Sequence, residues 1–265
     1  MVKNKCHYHN RFPLAAGVLG IGILLACLIS LLVIQPQPAR AAAKTWTNGS
    51  TDGLWSTSAN WSGGSPGAGD IATFDATSVT NCAIDTAVNV AGISIAATYS
   101  GIITQNSGIS ITIGTSNFAQ AGGTFTGVDS SITINGTSGN LLYMTGGTFN
   151  AGGSTINLTG TSAYLLYING AGTTFNANSS IINLTGTSTT RLIRASTSAV
   201  FNGNTSTVNI NSDSSPGSQA IYNSSATLIF NILNLTPTIT ADQIYPTSGT
   251  ITVNGNFNIN PTAGV

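Results

Sequence analysis

Apolar and polar side chains alternate in short runs along most of this chain. Ile132-Thr133-Ile134, Ile156-Asn157-Leu158, Ile182-Asn183-Leu184 and Val208-Asn209-Ile210 each read apolar–polar–apolar. That is the period-2 pattern of a strand with one buried face. Each triplet starts seven residues after a phenylalanine, and Phe125, Phe149, Phe175 and Phe201 are spaced by 24, 26 and 26 residues. A third apolar run, "YLLYI" at 164–168, completes the unit, and "NLTGTS" recurs at 157–162 and 183–188. Weaker copies occur at 108–114, 227–235 and 250–259.

Self-similarity at this period signals stacked repeats. Helical repeats are excluded by the spacing of two and by the frequent Gly and Asn. A propeller blade needs about 40–50 residues and four strands. Three short strands joined by three tight turns instead close one triangular coil, and successive coils stack in parallel about 4.8 Å apart. The pattern therefore predicts an all-β stack of about seven parallel coils of 24–26 residues over 85–265. Repetition then has a physical reason, because each inward Ile or Phe meets an apolar neighbour in the next coil. Asn157, Asn183 and Asn209 form an outward row that can hydrogen-bond along the stack.

Composition sharpens this picture. Only 5% of residues are charged, 41% are apolar, and Glu is absent. Residues 1–43 read differently, with Lys3, Lys5 and Arg11 before an apolar run at 13–34 and then "QPQPARAAAK". They are expected to be a signal peptide cut after Ala41 or Ala43, or an uncleaved membrane anchor. Removing them leaves Lys44, Arg191 and Arg194 against seven Asp, a formal balance of −4. Nucleic acid is not an expected partner, since it needs clustered basic residues, and a membrane is expected only through the N-terminal segment. Cys82 then remains alone, so no disulfide within the chain is available to an exported protein.

The segment "TWTNGSTDGLWSTSANWSGGSPGAGDIATFD" precedes the coils. Its Trp46, Trp55, Asn60-Trp61, Gly64, Pro66, Asp70 and Phe74 resemble the entry segment of bacterial proteins with autotransporter-associated β-strand repeats. With the coils, this resembles the right-handed parallel β-helix of autotransporter passenger domains and related adhesin-like surface proteins, and the resemblance implies that fold. The resemblance implies a secreted or cell-surface location and an adhesive or structural stalk. No C-terminal membrane barrel is present, and the strand-like "NINPTAGV" ending suggests that the natural protein continues beyond residue 265. Residues 44–84 are expected to cap the first coil with their three Trp, in preference to forming a sugar-stacking platform.

Candidate chemistry is sparse. Asp52, Asp70, Asp75, Asp85, Asp129, Asp213 and Asp242 do not recur at the coil period, whereas glycoside hydrolysis needs two carboxylates at a set separation. A carbohydrate-active enzyme, of the lyase or glycosidase kind found on β-helices, is the alternative; the expectation is a non-enzyme with no cofactor and no metal. One feature points to binding. At a constant period Leu142, Leu166 and Leu192 share an inward column. Leu141, Leu165 and Arg191, with Tyr143, Tyr167 and Ile193, then face outward. Tyr143, Tyr167 and Arg191 are the candidate ligand-binding residues, for an extracellular glycan or a host or cell-surface partner. In this register Arg194 points inward, against its charge.

Overall fold

In a computed structural model, the structure describes residues 41–137, 139–161, 163–186, 191–212, 219–237 and 243–261. The expected leader, residues 1–40 in particular, lies outside the described residues, as do Asp213 and Asp242. Among the described residues the only helix is the 3-10 turn Ser58–Asn60, and no helix is long and apolar enough to cross a membrane.

The chain winds as a right-handed parallel β-solenoid of about eight turns. One turn supplies a strand to each of three sheets, as in Asn140–Met144, Thr148–Asn150 and Thr155–Gly160. Sheet 1 holds nine strands, from Ala42–Thr45 to Gln243–Pro246, and sheets 2 and 3 hold eight each. Every pairing between successive strands is parallel, as in Phe149↔Phe175 and Leu158↔Leu184. Ala42–Thr45, Asp70–Phe74 and Cys82–Ile84 already belong to these ladders, so stacking begins before residue 85.

The inward columns follow the sequence pattern. Phe125, Phe149, Phe175 and Phe201 are buried and stack with ring centroids 4.8, 5.0 and 5.2 Å apart. Ile132, Ile156, Ile182 and Val208 fill the first apolar column of sheet 3, and Ile134, Leu158, Leu184 and Ile210 fill the second. Outward on that sheet, each Asn amide donates to the Asn below, Asn183 to Asn157 at 2.9 Å and Asn209 to Asn183 at 2.8 Å. Asn234 and Asn258 extend the row. A second amide ladder, Asn150–Asn176–Asn202, runs along sheet 2.

The repeated "NLTGTS" now divides by role. Asn157 and Asn183 join the outward ladder, Leu158 and Leu184 the core, and Gly160 and Gly186 the corner leading to sheet 1. A Cβ on Gly160 would sit 2.6 Å from the Gly136 carbonyl oxygen. Only glycine lets successive corners approach this closely.

At the other end of the molecule Trp46, Trp55 and Trp61 are 0, 2 and 3% exposed. They pack edge to face, with Trp55–Trp61 and Trp46–Trp61 centroids 4.6 and 5.1 Å apart, and Trp61 lies 5.4 Å from Phe74. The Trp61 indole donates to the Trp55 carbonyl at 2.9 Å, and Trp46 to the Thr80 carbonyl at 3.2 Å. With their faces against other rings, these indoles offer no open stacking platform; they fill the first turn's interior.

Candidate functional site

Sheet 1 departs from the constant-period register, and the departure defines the site. Four of its nine strands, Asn140–Met144, Tyr164–Asn169, Arg191–Ser196 and Gln219–Ser224, each carry two adjacent buried positions. Leu142 pairs with Leu166, Leu166 with Ile193, and Ile193 with Ile221. Leu192 is therefore not in that column. It is buried together with Leu141 and Leu165 in the column beside it, at the corner, where Leu141 rests over Gly136 and Gly160. The expectation that Leu141, Leu165 and Ile193 face outward is thus corrected: all three are fully buried.

Arg194 is corrected in the opposite direction. It pairs with Tyr167, and its guanidinium lies over the tyrosine rings outside the sheet. Tyr143, Tyr167, Arg194, Tyr222 and Tyr245 make one outward column along the rod. Tyr143 and Tyr167 stack at 5.1 Å and 28°. The guanidinium carbon of Arg194 sits 4.7 Å from the Tyr167 ring centre and 5.8 Å from that of Tyr222. Tyr222 and Tyr245 follow at 6.1 Å and 13°. Contacts of this kind, ring on ring and cation on ring, hold flat groups in fixed orientation.

Arg191 belongs to the neighbouring column, between Tyr164 and Gln219. Its guanidinium carbon lies 3.9 Å above the Tyr222 ring, and its Nε donates to Gln219 Oε1 at 2.6 Å. Both arginines turn toward one atom, the Tyr164 hydroxyl oxygen, which accepts from Arg194 Nη1 at 2.8 Å and from Arg191 Nη1 at 3.5 Å. Arg194 Nε is buried with no hydrogen-bond partner. Among the described residues no carboxylate pairs with either guanidinium.

The structure therefore brings Tyr143 and Tyr167 together, places Arg191 one column aside, and adds Tyr164, Arg194, Tyr222 and Tyr245. The missing signal was in the sequence. Aligning "YLLYIN" with "RLIRAS" and "QAIYNS" by their polar–apolar–apolar–polar pattern superposes these residues, whereas a fixed step of 26 does not.

Below Tyr143 the column changes to Ala119 and Ser94. These small side chains leave a notch of about 200 Å³ lined by Ser94, Ala96, Ala119, Ala121, Tyr143 and Thr145, among others. The Tyr143 ring thus ends the aromatic stack beside an open space.

Other chemistry-bearing groups are engaged in structure. Asp52 accepts the Leu54 N–H and the Thr57 hydroxyl, Asp70 the Gly67 N–H, Asp75 the Thr77 N–H, and Asp85 the Ser56 N–H. Burial, with Asp85 nearby, holds the Cys82 thiol pKa well above its ordinary value, so it stays protonated. Among the described residues no three His, Cys or Asp side chains gather as metal ligands would. No protein-family model matches the chain, and neither a curated protein nor a solved structure is significantly similar to it.

Proposed function

We propose that this chain is an exported, non-catalytic β-solenoid of the adhesin-like or structural-stalk type, which uses sheet 1 as its contact face. One observation carries the reading: the Tyr–Tyr–Arg–Tyr–Tyr column lies on one of three faces. The other two bear Asn ladders whose amides satisfy one another along the stack. Flat rings and cations held outward at fixed spacing are a recognition surface with little ordering left to do on binding. An extracellular glycan or a cell-surface partner suits such a face, and the autotransporter-like entry segment agrees with a surface location. Four of the five described carboxylates support the non-catalytic reading, since Asp52, Asp70, Asp75 and Asp85 are tied to turn backbone in the Trp-rich segment or beside it.

The test is the double variant Tyr143→Ala/Tyr167→Ala. It should lose binding to the glycans or cells that the parent binds, with the β-rich circular dichroism retained. Removing one stacked pair costs about 1 kcal/mol, so the melting temperature should fall only slightly. Unchanged binding by the folded variant would refute sheet 1 as the contact face.

A further inference from the structure

We infer that the arginine pair and the notch below Tyr143 form one track for an acidic polysaccharide, its carboxylates held at Arg191 and Arg194 and a sugar ring seated against Tyr143. This rests on sheet 1 being the contact face and specifies what that face takes. Apart from Lys44, these arginines are the only basic residues after the leader. Both stand on one strand, in a segment of formal charge −4, without a carboxylate partner among the described residues.

The geometry suits planar acceptors. Tyrosine rings cover the guanidinium faces, and the Tyr164 hydroxyl and Gln219 fix their positions. Among the described residues no protein acceptor holds the Nη2 group of either arginine, and both side chains are only half-buried. Fixed in-plane N–H groups on a delocalised cation match a carboxylate, and the pre-ordering lowers the entropy cost of binding. The notch complements them. Its volume of about 200 Å³ accommodates a single pyranose ring, with the Tyr143 face for C–H stacking and Ser94 and Thr145 for hydroxyls. From Tyr143 to Arg194 is two rungs, about 10 Å, a span of about two linked sugars along the rod.

Binding of the purified chain to polygalacturonate and to its methyl ester tests this without any substitution, because the backbone is the same and only the charge differs. The acid form should bind about tenfold tighter or more, with the advantage shrinking as salt rises. Arg191→Gln/Arg194→Gln should erase the difference between the two polymers. Ala119→Tyr, which continues the tyrosine column into the notch, should weaken binding of both while circular dichroism is unchanged. Equal affinity for acid and ester, with both lost in Tyr143→Ala/Tyr167→Ala, would overturn the acidic track and leave sheet 1 as the contact face. Failure to bind either polymer, with cell binding intact in the tyrosine variant, would overturn both readings.

Discussion

Leu184 and Asn183 are adjacent in the chain and opposite in environment. Leu184 is fully buried between Leu158 and Ile210, so Leu184→Asp places a carboxylate in an apolar column with no counter-ion. The expected loss is about 3–5 kcal/mol, or failure to fold. Asn183 stands outward, donating to Asn157 and accepting from Asn209. Asn183→Asp removes one donor and sets a carboxylate oxygen against the Asn157 oxygen, which should cost about 1–2 kcal/mol. Urea unfolding of the two variants checks the assignment of faces, and equal losses would contradict it. Asp52 offers a second residue-scale test. The Leu54 N–H first, then Thr57 and Asn60, hold its pKa below the ordinary carboxylate value. Because the folded pKa is depressed, this stabilisation is present above an unfolded pKa of roughly 3.9 and is lost as pH falls below it. Melting temperatures of parent and Asp52→Asn should therefore differ at neutral pH and converge as the solution becomes strongly acidic. A difference that persists unchanged at low pH would show that the charge of Asp52 does not matter.

At the scale of the element, the three sheets were not equally legible in the sequence. Sheets 2 and 3 keep a step of 26 through Phe149, Phe175 and Phe201 and through Asn157, Asn183 and Asn209, so their columns follow from counting. Sheet 1 does not, since Tyr167 pairs with Arg194 at a step of 27 and Arg194 with Tyr222 at 28. Stacking constrains strands to superpose, while the turns between them project into solvent and are free to change length. A constant period thus fails first where turns vary, and it took Arg194 and Ile193 to the wrong faces. The paired buried positions in the four sheet 1 strands between Asn140 and Ser224 defeated simple alternation for a second reason. Leu141 and Leu165 sit at a corner, where a bend turns two successive side chains inward. The candidate site was consequently half legible: Tyr143 and Tyr167 were found because no slip separates them, and Arg194, Tyr222 and Tyr245 lay beyond one. The strand Ala42–Thr45 adds a prediction at this scale. It pairs residue for residue with Asp70–Thr73, so a cut after Ala41 keeps the strand whole, whereas one after Ala43 halves it. N-terminal sequencing of exported protein should find Ala42 as the first residue; Met1 would instead indicate an anchored form.

Across the whole molecule, a parallel stack of near-identical coils explains the low charge, the amide ladders and the repeated motifs together. Each coil is the template for the next, and among the described residues the aromatic and cationic column runs along sheet 1. The architecture was readable because it depends on periodicity, which the sequence displays openly. Ligand recognition depends on which side chains share a column, and that requires the register. On the proposed function the solenoid is a passive rod that binds through one face and leaves its partner intact. Size-exclusion chromatography of the purified chain after prolonged incubation with polygalacturonate reads both parts at once. Protein is expected to co-elute with polymer whose elution volume does not change. Polymer shifting to smaller size would reveal an enzyme and contradict the passive reading, and protein eluting alone would contradict binding of this acidic polymer along sheet 1.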